Sequence, residues 1–190
     1  MNIEERLTIG MYQRIHSIPE KDNEITKGLK TISIIEGLTV EEVREWEISK
    51  FKNYLHYYTT INFREYENER KFHLKIGGVN YRLKDDPAKM SSGQFIDIVE
   101  TMKSAEGNPI QYIDKVIAII ATRGKYDSDG VQARAEQIRE LPLKDVWGVF
   151  VFFLNLYWRY LKITETYLEK EMEKTIDSAT TLLNKNGRGS

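Results

Sequence analysis

Residues 146–158 read VWGVFVFFLNLYW, and their apolar side chains fall around a helix rather than along one stripe. A helix of that kind must be covered on several sides, by the chain's own elements or by a neighbour in an assembly. The run is thirteen residues long and holds Gly148 and Asn155. A membrane span needs about 20 apolar residues, so this is expected to be a buried helix. The chain has the material to surround it. Of its 190 residues 41% are apolar and 30% charged, an ordinary globular composition.

A weak internal repeat orders the remainder. Leu7-Thr8-Ile9-Gly10-Met11-Tyr12-Gln13-Arg14-Ile15 matches Met90-Ser91-Ser92-Gly93-Gln94-Phe95-Ile96-Asp97-Ile98. In each, a hydroxyl residue stands where a side-chain oxygen can cap the first turn. A second block aligns Ile32-Ser33-Ile34-Ile35 with Ile117-Ala118-Ile119-Ile120. A third aligns Val43-Arg44-Glu45-Trp46-Glu47-Ile48 with Ile138-Arg139-Glu140-Leu141-Pro142-Leu143. The offset grows mostly through an insertion around residues 124–130, the behaviour of a surface loop. The expected fold is therefore mainly α: two diverged three-helix units with an intervening β-hairpin and a long C-terminal helix. The spacing predicts helices over 7–18, 25–36 and 39–58, then 91–104, 109–123 and 131–158. Gly37 should close one helix, and Thr39 with Glu42 should form a capping box on the next. Domain organisation follows as 1–60 first helical unit, 61–89 linker and hairpin, 90–160 second unit, 161–190 C-terminal helix and tail.

Between the units, Phe72, Leu74 and Ile76 alternate with polar residues, as do Val79, Tyr81 and Leu83. Gly77-Gly78 supplies the positive φ angles of a two-residue hairpin turn. A lone hairpin is marginal in water, so its apolar face should pack on the helices or its edge should pair with another chain. Beyond Trp158, Leu161, Thr164, Leu168, Met172, Ile176, Ala179 and Leu183 recur every three or four residues among glutamates and lysines. This amphipathic stripe suits self-packing or a partner helix. Asn186-Gly187-Arg188-Gly189-Ser190 reads as a flexible tail.

The search for chemistry returns little. The chain has no cysteine, which excludes disulfides, thiolate metal sites and cysteine nucleophiles. Its first residues are acidic and lack an apolar core, unlike a signal peptide. His16, His56 and His73 have no partner at motif spacing, and no P-loop, dinucleotide or hydrolase pattern occurs. Asp85-Asp86-Pro87 reads as a polar turn leaving the hairpin. Asp127-Ser128-Asp129-Gly130 lacks the ligand set of a calcium loop. No catalytic, cofactor-binding or metal residue is assigned, and no cofactor is expected. The formal charge of −1 (28 basic, 29 acidic) argues against a general attraction to nucleic acid or anionic membranes. Nor do Arg14, Arg64, Arg70, Arg82, Arg123 and Arg134 form a run, so a nucleic-acid site would need the fold to gather them.

Aromatics are abundant, with eleven Tyr, seven Phe and three Trp. Rings with a polar end suit protein interfaces as well as cores. The candidate interface residues are Trp147, Phe150, Phe153, Tyr157, Trp158, Leu161, Leu168, Met172 and Ile176.

The hairpin, the phrase Asp86-Pro87-Ala88-Lys89-Met90-Ser91-Ser92-Gly93-Gln94-Phe95-Ile96-Asp97 and the aromatic helix after it resemble small assembly and virion proteins of tailed bacteriophages. The likeness is to proteins of crAss-like phages and, more loosely, to tail assembly chaperones. It covers mainly residues 70–160. It implies a non-enzymatic structural component of the neck, tail or connector region, acting through protein–protein contacts with other phage structural proteins in a homo- or hetero-oligomer. Such a protein would be assembled in the host cytoplasm and reside in the virion, without contact to membrane. The alternatives are a tail assembly chaperone absent from the mature virion, or a small regulatory or nucleic-acid-binding protein.

Overall fold

The computed structural model describes residues 3–105 and 107–186, with side chains at all of these except 167, 168, 171 and 173–186. The chain is mainly helical, with one small antiparallel sheet and a long C-terminal helix. The first half holds α1 (Ile3–Arg6), α2 (Ile9–His16), α3 (Glu24–Glu36), α4 (Val40–Arg44), α5 (Ile48–Thr59) and α6 (Phe63–Asn68). Strands β1 (His73–Ile76) and β2 (Val79–Leu83) follow. The second half holds α7 (Ser92–Ser104), α8 (Ile113–Ile120), β3 (Ala121–Thr122), α9 (Val131–Arg139) and α10 (Leu143–Asn186).

The three matched blocks fall on corresponding helices of the two halves. Thr8 caps α2 by accepting from the Met11 N–H, and Ser91 caps α7 by accepting from the Gln94 N–H. Ile32 and Ile35 of α3 are buried, as are their counterparts Ile117 and Ile120 of α8. The third helix of each unit is broken at the matching place. α4 stops at Arg44 and α5 starts at Ile48; α9 stops at Arg139 and α10 starts at Leu143. Neighbour packing repeats as well: α2 lies on α3 and α3 on α4, as α7 lies on α8 and α8 on α9.

These breaks differ from the continuous helices expected over 39–58 and 131–158. Pro142 explains the second, since proline has no N–H to donate and crowds the preceding turn. In the first, Trp46 turns in against Tyr54 with ring centroids 5.7 Å apart, under the Lys50 ammonium at 3.6 Å. The helix expected over 109–123 begins as a 3-10 turn at Pro109–Tyr112 and ends at Ile120. Its last residues become β3. α1 and α6 were not expected, and α6 lies in the segment read as linker. Residues 160 and 161 lie within one helix, since α10 runs unbroken from Leu143 to Asn186.

The hairpin has the expected register, with Ile76 opposite Val79 and Leu74 opposite Tyr81. Gly77 and Gly78 take φ of 55° and 82°, a conformation that L side chains rarely adopt. Directly opposed residues share a face, so Leu74, Ile76, Tyr81 and Leu83 point to the core, with half-buried Val79 on the same face at the turn. β3 pairs with the far edge of β2, through Arg82 opposite Thr122 and Leu83 opposite Ala121.

Backbone hydrogen bonds join the halves. The Leu143 N–H donates to the Leu7 carbonyl at 2.8 Å, and the Ile9 N–H donates to the Leu141 carbonyl at 3.1 Å. Beside them lies a buried polar knot. Asp114 is 1% exposed and accepts from Gln13 Nε2 at 2.7 Å and Arg139 Nε at 2.6 Å. Gln13 and Gln111 each donate to the other's backbone carbonyl at 3.0 Å. Buried polar atoms left unpaired would cost about 1–3 kcal/mol each, and this network satisfies them mutually.

Around α10 the core is aromatic. Val146, Val149, Phe150, Phe153 and Tyr157 are all buried. Trp147 meets Tyr12 edge to face at 5.4 Å and Phe63 at 5.6 Å. Gly148 lets α6 approach, since a Cβ there would press on the carbonyl oxygens of Tyr66 and Glu69. Phe152 packs on Phe72 and lies 4.1 Å from the Arg70 guanidinium.

Candidate interaction surface

The expected interface residues separate along α10. Trp147, Phe150, Phe153 and Tyr157 are enclosed by the chain's own helices and hairpin and offer no surface to a partner. Leu161 sits half-buried at the rim of the body. Trp158 and Met172 are exposed, at 52% and 64%. The side chains of Leu168 and Ile176 lie outside the described residues, as does the tail at 187–190.

Two further residues belong with the exposed group. Ile163 is 63% and Tyr160 38% exposed, and Tyr160 leans edge to face on Phe95 at 5.7 Å. Neither lies on the stripe read by spacing, because periodicity cannot show where the body stops covering a helix. Among the described residues, Leu161 is the last of α10 packed on the core. Residues 162–186 therefore continue the helix about 37 Å past it, at 1.5 Å per residue. A shallow groove on this arm is lined by Lys162, Ile163, Thr166 and Lys170, all from α10 itself.

A second patch lies on the first unit. Ile48 and Tyr57 of α5 are 65% and 63% exposed. Tyr57 borders a groove shared with Ile3, Ser49, Lys50, Asn53 and Tyr54. Tyr54 donates its hydroxyl to Glu36, which also pairs with Arg6 at 3.0 Å. Burial and the Glu36 carboxylate raise the Tyr54 pKa well above its ordinary value.

The three histidines stand apart. His16 lies edge-on to Tyr12 at 4.4 Å, and burial lowers its pKa. His56 sits on exposed α5 near Tyr57, and His73 points outward from β1. Asp86 caps the 3-10 turn at Pro87–Lys89 by accepting from the Ala88 N–H, and it pairs with Lys89. That pair and the N–H bond hold its pKa below the usual value. Asp127 ties its loop together, accepting from the Gly130 N–H and from Arg134. Among the described residues no three His, Asp or Glu side chains gather as a metal site, and no helix is long and apolar enough to cross a membrane.

No family model, curated protein or solved structure matches this chain.

Proposed function

We propose that this protein is a non-enzymatic structural component of a tailed phage particle, acting through protein–protein contacts in its neck, tail or connector region. The observation that carries the contact role is the α10 arm. Trp158 at the rim of the body and Ile163 and Met172 on the helix beyond it leave apolar surface exposed, as a docking element does. Helix-in-groove docking or pairing with a neighbouring helix fits that arm. The phage assignment is supported by the resemblance of residues 70–160.

Mass spectrometry of purified, mature particles tests the reading. A stoichiometric amount of the chain is the expected result. Abundance in infected-cell lysate with absence from particles would replace it with a transient tail assembly chaperone. A source with no phage or prophage would sink the phage assignment altogether.

A further inference from the structure

The hairpin is the most basic part of the molecule. Residues 70–84 hold Arg70, Lys71, Lys75, Arg82 and Lys84 and no acidic residue. The whole chain has 28 basic and 29 acidic residues, so the remainder is at −6. Net charge therefore conceals a strongly polarised surface, and it is the local potential that a ligand meets.

Folding concentrates this charge on one face. Because Leu74, Ile76, Val79, Tyr81 and Leu83 take the core side, His73, Lys75, Asn80 and Arg82 take the other, and all four are exposed. β3 extends the sheet by one short strand, with Thr122 opposite Arg82, and exposed Arg123 and Lys125 follow in the loop just beyond it. Beside Arg82 and Thr122 a pocket of about 310 Å3 is also lined by Lys84, Asp85, Asp86 and Lys89. The Lys84 ammonium donates to Gln94 Oε1 at 3.0 Å. Gln94 is fully buried and itself donates to the Ile119 carbonyl, so Lys84 is held in place by a neutral amide. Arg70 and Lys71 are otherwise engaged, by Phe152 and Asp145. Among the described residues no carboxylate lies in ion-pair range of Lys75, Arg82, Lys84, Arg123 or Lys125.

We infer that this open sheet face binds duplex nucleic acid through its phosphate backbone. Protein interfaces centre on aromatic or arginine anchors seated in desolvated pockets, and this face presents no exposed Trp, Tyr or Phe. Nucleic-acid interfaces are instead polar and strongly positive. Single strands are held by stacking bases on aromatic rings, but Phe72 and Tyr81 are turned to the core and leave only the His73 imidazole outside. A sheet with one face packed and the other presenting Lys75, Asn80 and Arg82 can lay its cations along the phosphates of a duplex. Asp85 and Asp86 are opposing charges at the edge of this face, and Asp86 is already paired with Lys89.

The test is fluorescence anisotropy with the full chain and a labelled mixed-sequence DNA duplex of about 20 base pairs, at salt from about 50 to 200 mM. The expected result is binding whose log affinity falls with log salt by about 0.9 per phosphate contact. The double reversal K75E/R82E should lose about tenfold or more in affinity and flatten that slope by about 2. K21E/K52E makes the same charge change at two exposed lysines of the first unit and should leave the slope intact. D85N should tighten binding. Circular dichroism of each variant separates unfolding from lost contact. No binding at the lowest salt overturns the inference, and so does an equal effect of the two double variants. A single strand of equal length bound more tightly than the duplex also overturns it. Binding of polyglutamate but not of the duplex would assign the face to an acidic protein instead.

Discussion

Gln13 Nε2 donates to Asp114 Oδ1 at 2.7 Å across a sequence separation of 101 residues. That bond joins the first helix of one unit to the second helix of the other, inside the core.

Asp114→Leu should therefore be costly. It removes one of the two bonds donated by Gln13 Nε2 and leaves Arg139 without its carboxylate. Removing one partner of a buried pair costs about 3–5 kcal/mol, but the Arg139 side chain is 44% exposed and can be rehydrated. A loss of about 2 kcal/mol in urea unfolding is expected. Asp127→Asn, which removes the carboxylate of a pair exposed at 61% on its acidic side, should cost under about 0.5 kcal/mol. Equal costs for the two variants would show the knot to be energetically idle.

Two helical glycines should respond oppositely to alanine. Alanine favours a helix by about 1 kcal/mol over glycine. At Gly93, an added Cβ meets only Tyr126 ring carbons, the nearest at 3.6 Å, so G93A should raise the melting temperature. At Gly148 the Cβ would run into backbone carbonyls of Tyr66 and Glu69. G148A should lower stability by about 1–3 kcal/mol through overpacking, in spite of its better propensity. A stabilising G148A would mean that α6 does not sit against α10.

Alkaline pH should loosen the core, with Tyr12 and Tyr58 among the groups responsible. Burial pushes the phenols of Tyr12 and Tyr58 up to about 12, from 10 when unfolded. For a group whose folded pKa is raised, stability is whole below the unfolded value and is lost as pH rises through the folded one. Unfolding should thus set in between pH 10 and 12. Tyr12→Phe combined with Tyr58→Phe should blunt that pH dependence, measured by denaturant midpoint against phenolate absorbance. An unchanged alkaline slope would place the responsible groups elsewhere.

Cutting the chain after Ile163 should separate folding from assembly. The core ends at Leu161, so the melting midpoint should move by less than about 2 °C. Complexes that depend on the arm should disappear in size-exclusion or pull-down experiments with particle proteins. If the shortened chain melts earlier and less cooperatively, the arm folds back on the body and is no docking element.

Much of the fold was legible because it is set by neighbours in the chain. A hydroxyl at Thr8 or Ser91 can reach only the turn it precedes. The Thr39–Glu42 capping box and the left-handed Gly37 have the same local character. Gly77-Gly78 allows one tight turn, and alternation then determines which hairpin residues face inward. Pro142 also carried its own signal, since a helix drawn through it ignores a missing N–H and a steric clash.

The rest was decided by contacts between segments that the order of residues cannot bring together on paper. Ala121 and Thr122 are too short a run to signal a strand and become β3 because the edge of β2 lies beside them. The apolar run at residues 146–158 demanded cover, but whether from this chain or another depended on α6, the hairpin and Tyr12 arriving around it. The same packing turned Trp147 and Phe153 into core and left Trp158 and Ile163 in solvent. Local patterns settle where a helix starts and which face is apolar, because those energies act within a turn or two. Burial, free edges and gathered charge are properties of distant segments in contact, and only the tertiary structure decides them.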